Sequence, residues 1–430
     1  MALPPAHQQR TSSGKRAGMA RTRRIAVITA GVRIGREKKG CTRFLSIASY
    51  LAAAGLEVEL ITSAFQFWEQ QQRKTDDPSF HRYPFKVAFI DEPGYERSIE
   101  RTRIKSHKAA AKNLKSYLGA AAPFDLVYCE IPPNEVACAA ARYAHKRAIP
   151  FIVDVNDHWF ETMRTMPDVP LIGDLASLPF TRDARVAYQY ATAVVGTSEE
   201  YAAHPFTHRP ANIERLTAYV GNELAAFDAH AHKNKALVDK GAGEFWVTYT
   251  GTLDAVYDIG TLLHATAVLK QRGYDAVRTL IIGSGPSQER LEELAKTLDA
   301  NITFTGYREY PMMAAYLIHS DIVVNSFIKR APQPIASKIA DYVAAGKPVV
   351  NTNGNAELKG LVDRAGIGVN VEAEDVEALA GAIASLHDDP ARRAAMGTNA
   401  RQLAREHFDR ATSYQRIVAL VRRQLGEPAG

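Results

Sequence analysis

From residue 24 onward, short runs of β-branched and aromatic residues alternate with segments in which apolar positions recur every three or four residues. Alternation of this kind is the pattern of a parallel sheet covered by helices on both faces. In the first half the runs that read as strands are IAVITAGV from Ile25, LEVELIT from Leu56, KVAFID from Lys86, DLVYCE from Asp125, PFIVDV from Pro150 and AVVGT from Ala193. The clearest helix among them runs from Cys41 to Ala54 and closes at Gly55. After a polar stretch from Lys233 to Gly243 the alternation restarts with FWVTYTG from Phe245, VRTLIIGSG from Val277, NITFTG from Asn301, DIVVNSF from Asp321, PVVNTN from Pro348 and GIGVNV from Gly366. The pattern predicts an α/β protein of two doubly wound domains, 25–232 and 244–408, with a linker at 233–243 and a basic, non-periodic tail at 1–24. Pro390 to Gln424 reads as helix, and Tyr414, Ile417, Val418 and Val421 give segment 409–430 an apolar face that predicts packing back across the domain junction. Ligands of doubly wound sheets lie at the carboxyl ends of the strands, so a cleft between the two domains is the expected site.

Composition narrows the class. The 430 residues leave room for a sizeable core in each domain, and 46% hydrophobic with 23% charged residues is a globular balance. No apolar run approaches the roughly 18–20 residues that span a bilayer, and the run from Ile25 to Val32 is too short for a signal-peptide core. The expected location is the cytoplasm. Cys41, Cys129 and Cys138 form no disulfide or zinc-ligand spacing and read as buried small hydrophobes.

The net charge of +6 is unevenly spread: residues 1–220 carry 30 Lys and Arg against 22 Asp and Glu, and the remainder 23 against 25. A basic first half predicts an anionic partner, with phospholipid, a phosphorylated substrate and nucleic acid as the classes. No nucleic-acid motif or aromatic platform accompanies the basic residues, which argues against the last. Residues 97–115 hold Arg97, Arg101, Arg103, Lys105, Lys108, Lys112 and Lys115 against Glu100, with Ile104, Ala111, Leu114 and Leu118 at helical spacing. Such a helix either lies on an anionic membrane surface or is the solvated face of a sheet-covering helix.

Two segments carry candidate chemistry. IIGSGPSQERLEEL from Ile281 is a strand, a Gly-x-Gly turn and a helix; without the third glycine of a dinucleotide fingerprint, hydride transfer is disfavoured. In PQPIASKIADYVAAGKPVV from Pro332, Ser337, Lys338 and Asp341 fall on or near the first turn of a helix that Gly346 caps. Its amides and Lys338 can hold a diphosphate while Asp341 accepts from ribose hydroxyls; a capped helix with a solvated lysine is the other reading. No metal site is expected: DVND at Asp154 is not Asp-x-Asp, and Pro205 separates His204 from His208. Asp157 is either a substrate contact or a helix N-cap.

From about Phe245 to Phe408 the order VTYTGTL, LIIGSGPSQERLEELA, NITFTGY, SDIVVNSF, SKIADYVAAGKPVV, AGIGVNV and DDPARRAAMGTNAR ending in EHF resembles the nucleotide-binding domain of glycosyltransferase family four, the retaining GT-B enzymes. The first half is similar through Gly40, Cys41, Thr42 and Arg43 and through DVNDHW from Asp154 to Trp159. The resemblance implies GT-B architecture, with a nucleoside diphosphate sugar held by the second domain. It places a glycan or polyprenyl-linked acceptor on the first domain and calls for no cofactor beyond the donor substrate. By that likeness Asp341 meets the ribose in place of the second Glu of the family's paired-glutamate motif, and Gln333 stands for the first. Tyr307 and Arg308 lie near the nucleobase, Gly283 and Gly285 border the nucleotide, and Gly251, Thr252, Asn325 and Ser337 complete the donor set. Gly40, Asp154, Asn156 and His158 form the acceptor side, with Asn156 where the family frequently has a cleft histidine.

The family's diphosphate-binding Arg and Lys are missing from TGTLDAVYDIG, which offers Thr252 and Asp258 instead. Stabilising the leaving group therefore falls to Lys338 and the helix N-terminus, with Arg43, Lys329 and Arg330 assisting and Asp157 as the further catalytic candidate. The implied reaction is metal-independent, retaining sugar transfer in cell-surface polysaccharide assembly, at the inner membrane face. A nucleotide-sugar epimerase of the same fold and a catalytically silent subunit are the alternatives.

Overall fold

The computed structural model describes residues 21–96, 100–157, 173–207, 213–331 and 335–428, the side chains of 173–180 and of position 207 excepted. Residues 1–20 of the basic tail, Arg97, His158 and Gln333 lie outside the described residues.

The first sheet contains β1 (Arg24–Thr29), β2 (Glu57–Ser63), β3 (Lys86–Ile90), β4 (Leu126–Ile131), β5 (Phe151–Val155), β6 (Ala193–Gly196) and β7 (Glu214–Thr217) in the order β3-β2-β1-β4-β5-β6-β7. The second contains β8 (Phe245–Thr250), β9 (Val277–Ile282), β10 (Ile302–Gly306), β11 (Ile322–Asn325), β12 (Val349–Asn351) and β13 (Gly368–Asn370) in the order β10-β9-β8-β11-β12-β13. Every pairing within them is parallel. Strand order reverses between β1 and β4 and again between β8 and β11, which opens a crevice at the carboxyl edge of each sheet. Interior strands such as β5 and β8 are buried at every residue, as helices on both faces require.

The helices of the first domain are α1 (Arg43–Ala53), α2 (Arg101–Ala120), α3 (Asn134–Arg147), α4 (Gly173–Tyr190) and α5 (Glu199–Ala203). Those that follow are α6 (Leu224–Asn234), α7 (Ile259–Gln271), α8 (Gln288–Thr297), α9 (Tyr310–His319), α10 (Lys338–Ala344), α11 (Ala356–Ala365), α12 (Val376–Asp388), α13 (Pro390–Leu403) and α14 (Arg410–Gln424). A two-residue hairpin, Phe65–Gln66 with Gln71–Gln72, and the edge strand β7 are additions to the sequence expectation.

One domain boundary moves. Leu224, Phe227 and Ala231 put an apolar face on α6 that is buried against Leu317, Ile339 and Val343 of the second domain, so α6 belongs there and not with residues 25–232. The stretch 233–243 is likewise no free linker, because Lys235–Leu237 forms a turn and Val238 packs on Trp246, Leu280 and Ala315. The chain crosses outward at 218–222 and returns at 408–410, and the two crossings are hydrogen bonded: Asn222 N–H donates to Phe408 O at 2.9 Å and Arg410 N–H to Asn222 O at 2.9 Å. Gly221 is needed there, since its φ is +59° and a Cβ would stand 2.3 Å from the Phe408 carbonyl. After the return, α14 lays Tyr414, Ile417, Val418, Leu420 and Val421 into the core beneath β1 and α1, so the last helix covers the first domain as its apolar face predicts.

Candidate active site

On the second domain the cleft edge is made by the loops after β8, β9, β10 and β11. Leu253 N–H donates to Ser284 O at 3.0 Å and Ser287 N–H to Leu253 O at 2.9 Å, which locks the first two loops together. A Cβ on Gly283 would stand 1.8 Å from Gly251 O, and one on Gly285 2.4 Å from Leu253 O. Close backbone approach is therefore why glycine occupies both positions, whatever they border.

Lys338 dominates this edge. Its side chain, 9% exposed, reaches from the start of α10 toward the end of β8, where Nζ donates to Tyr249 Oη at 3.0 Å. Nζ also lies 4.0 Å from the ring centre of Tyr257, 4.2 Å from that of Tyr249 and 5.4 Å from that of Phe327. Among the described residues no carboxylate comes within ion-pair distance of it, and burial pulls its pKa well below the ordinary lysine value. The rings return part of that cost when the amine is protonated. Nζ sits 3.2 Å from where a Gly251 Cβ would be, so only bare backbone separates the ammonium from the loop above.

The helix N-terminus adds less than the sequence suggests. α10 has seven residues, and the Ile339 and Ala340 amides already donate to Ala336 O and Ser337 O in a tight turn. The buried positive charge at this edge accordingly rests on Lys338.

One turn on, Asp341 faces the domain junction: Oδ1 accepts from Asn222 Nδ2 at 2.9 Å and Tyr310 Oη at 2.8 Å. Burial pushes its pKa up, while Asn222, Tyr310 and the charge of Arg410 pull it down. Thr252, Ser284, Tyr307, Arg308, Lys329, Arg330 and Ser337 are exposed around the rim. Asn325 departs from its expected role. It is fully buried, and its Nδ2 donates to Asn351, whose own Nδ2 donates to Asn370, both at 2.8 Å. The three amides tie the ends of β11, β12 and β13 together.

Two expectations on the first domain are corrected. Arg43 and Asp154 have no exposed surface; Arg43 Nη2 meets Asp154 Oδ2 at 3.0 Å, and Nη1 donates to Ala218 O, Tyr219 O and Tyr414 Oη. Asp154 also accepts from Tyr128 Oη and Asn156 Nδ2. Every nitrogen of Arg43 is spent inside the domain, so it is not a catalytic cation and Asp154 is not an acceptor contact. Burial alone would lower the Arg43 pKa, but Asp154 together with Tyr414 and Tyr128 outweighs it and keeps the guanidinium charged.

The exposed chemistry of this edge lies nearby. Asn156 is half-buried above Asp154, and Asp157 is exposed within electrostatic reach of Arg103. Gly40, with φ +123°, carries the Trp68 ring 3.0 Å from its Cβ direction. At the end of β4, Glu130 accepts from Thr29 Oγ1 and the Ala30 amide, and burial pushes its pKa up to about 7. Between the domains, the Glu357 carboxylate of α11 accepts from the Glu199 and Glu200 amides at the start of α5 and from Tyr219 Oη at 3.1 Å. Sequence reasoning passed over Tyr249, Tyr257, Phe327, Asn222 and Trp68; of these only Tyr249, inward-facing on a strand, follows a legible pattern.

Residues 232–403 match the family model of glycosyl transferases group 1, and residues 41–217 match the glycosyl transferase 4-like domain. A D-inositol 3-phosphate glycosyltransferase of Pseudarthrobacter chlorophenolicus is 28% identical over 251 residues, covering 56% of this chain and 58% of the relative. A GDP-mannose-dependent monoacylated alpha-(1-6)-phosphatidylinositol monomannoside mannosyltransferase of Corynebacterium glutamicum is 35% identical over 127 residues, 28% of this chain and 32% of the relative. The chain thus spans about half the length, or less, of these curated relatives. Among solved structures, the sucrose-phosphate synthase from Thermosynechococcus elongatus superposes with a TM-score of 0.68 at 19% identity, over 94% of this chain and 99% of that one.

Proposed function

The chain belongs to the GT-B glycosyltransferases of family four, and on that premise we propose that it moves a sugar from a nucleoside diphosphate sugar to a glycan or lipid-linked acceptor. The proposed reaction proceeds without a metal and with retention, in cell-surface polysaccharide assembly. One observation carries the donor side: a buried lysine with no carboxylate partner among the described residues stands directly beneath the bare backbone of Gly251 at the strand-order switch of the second sheet. A buried cation without a counter-ion is costly unless a ligand supplies one, and a diphosphate does so. As the anomeric C–O bond breaks, the acceptor oxygen takes the sugar, its proton leaves with the diphosphate, and the charge gained by the leaving group is met by Lys338. Asp341 with Tyr310 and Asn222 holds the ribose end, and Thr252, Ser337, Tyr307 and Arg308 line the approach. Both curated relatives are named for glycosyl transfer, one of them from GDP-mannose.

The membrane side of the proposal rests on α2. Arg101, Lys105, Lys108, Lys112 and Lys115 are exposed along one stripe, Ser106, His107, Ala110, Leu114 and Leu118 are buried on the other, and the helix holds no acid. At roughly 1 kcal/mol per basic residue near an anionic surface, such a stripe suits an enzyme whose acceptor is lipid-linked. No helix among the described residues is long and apolar enough to cross a membrane.

The test is a thermal-shift screen against nucleoside diphosphates and their sugars, with Lys338→Ala and Asp341→Ala alongside. Stabilisation by one base series, lost in both variants, is the expected result. A folded chain that no nucleotide shifts at millimolar concentration overturns the donor site and brings the silent-subunit reading forward.

A further inference from the structure

Trp68 is 40% exposed, although indole is the side chain with most to gain from burial. Its place is built. It lies in the turn Phe67–Glu69, whose first amide bond is closed by Gln66 Oε1 accepting from Trp68 N–H at 3.1 Å. One edge of the ring rests on two glycines: a Cβ on Gly31 would stand 2.8 Å from it and one on Gly40 3.0 Å. Gly31 has no left-handed backbone to explain it, so the absence of a side chain there serves the ring.

The surroundings hold the indole fixed. Glu69 Oε1 accepts from the Lys38 and Lys39 amides at 2.6 and 3.1 Å, and Glu37 is occupied by Arg73 Nε at 2.6 Å and Gln66 Nε2 at 2.7 Å. Loop 33–39 is thereby stitched to the turn that carries Trp68. Both stand at the carboxyl end of β1, the edge that also bears Asn156 and Asp157.

Charge supplies the second observation. Loop 33–39 presents Arg33, Arg36, Lys38 and Lys39 to solvent, none of them ion-paired among the described residues, while its acid Glu37 is neutralised by Arg73. The Arg33 Cβ lies 3.3 Å from the same Gly40 point that the indole covers, and its Nη1 donates to Lys38 O at 3.3 Å, so the arginine starts beside the ring and runs along the loop. Among the described residues nothing accepts from the indole N–H. A rigid aromatic face, a free N–H donor at its edge and flanking cations match a ring with an apolar C–H face, hydroxyls on its rim and an anionic substituent.

We propose that Trp68 and loop 33–39 form the acceptor subsite, stacking a sugar ring that carries a phosphate or carboxylate group. This rests on the transferase reading above, which places the acceptor on the first domain. The experiment uses the full chain and its tryptophan fluorescence, titrated with glucose 6-phosphate, mannose 6-phosphate, glucuronic acid, glucose and inorganic phosphate. At least one charged sugar is expected to perturb the emission and to bind at least ten-fold more tightly than glucose. Read by calorimetry, since both variants remove the reporting indole, Trp68→Ala weakens that binding more than ten-fold and Trp68→Phe about three-fold. Arg33→Ala with Lys38→Ala and Lys39→Ala removes the preference for charged sugars over glucose.

Binding of charged sugars within two-fold of normal in Trp68→Ala overturns the proposal, and so does a panel in which no charged sugar exceeds both glucose and phosphate. A nucleoside diphosphate thermal shift run on the same samples separates the two readings. If that shift survives while sugar binding fails, the acceptor subsite is wrong and the donor site stands; if the shift itself is absent, the donor reading has failed.

Discussion

Arg43 and Asp154 lie 111 positions apart in sequence and face each other at 3.0 Å with no exposed surface on either side chain. The pair joins three things: the end of β5 below Asn156, the outward crossing at 218–219, and the last helix through Tyr414. Its work is to fix where the cleft edge stands relative to the crossing.

Removing one partner leaves the other charge buried and unpaired, which costs about 3–5 kcal/mol. Arg43→Met and Asp154→Leu are each expected to lower stability by that order in urea unfolding. The double variant should lose clearly less than their sum.

Lys338→Met separates folding from function. It removes a buried amine whose charged form has no carboxylate partner among the described residues, so the variant is expected to unfold at a higher temperature than the parent chain, by about 1–3 kcal/mol of stability. Nucleoside diphosphate affinity, read by calorimetry, should fall about 10–100-fold, the worth of one charge-assisted contact. A variant that is less stable and binds normally would show Lys338 to be a packing residue.

Glu135 and His107 approach at 3.9 Å, yet burial pushes the glutamic acid up to about 7 and, with Arg103, the histidine down to about 3. Near neutral pH they form no ion pair. Because the Glu135 carboxyl keeps its proton in the folded chain and releases it near 4.5 when unfolded, its contribution is complete below pH 4.5 and lost as pH rises to about 7. Between pH 5.5 and 8 the loss amounts to about 2 kcal/mol. Glu135→Gln should lack this component, so its melting temperature relative to the parent is expected to rise from pH 5.5 to pH 8.

Glu357 is the fastening between the two cleft edges on the α5 side. With Glu357→Ala the Glu199 and Glu200 amides lose their acceptor. Hydrogen exchange at these two positions is expected to speed up about ten-fold, matching about 1.4 kcal/mol. Exchange in β8 should be unchanged.

The fold was legible because periodicity reports on burial: each strand of both sheets except β7 and the small hairpin stands where an apolar run predicts one. The placement of Lys338 and Asp341 on the first turn of α10 was legible as well, since a strand, a helix start and a glycine cap leave few places for them. Depth was not. Arg43 sits beside a glycine in a loop, which looks the same in sequence whether its guanidinium reaches a ligand or an aspartate across the domain. The rings around Lys338 come from a strand and two loops, Tyr249, Tyr257 and Phe327, and no spacing links them. Trp68 lies in the unpatterned stretch from Phe65 to Pro84, where only the glycines beneath it disclose a purpose. The α6 boundary was missed for a related reason: an apolar face shows that a helix packs, not against which domain.

The placement of α14 also sets an order of assembly. Ile25, Val27, Leu51 and Leu60 share their core with Tyr414, Ile417, Val418 and Val421, which follow the whole second domain in the chain. The first domain therefore lacks this part of its core until the second domain has been made. The second domain, continuous from Leu224 to Phe408, has all its parts earlier. The half made first is the half whose core closes last.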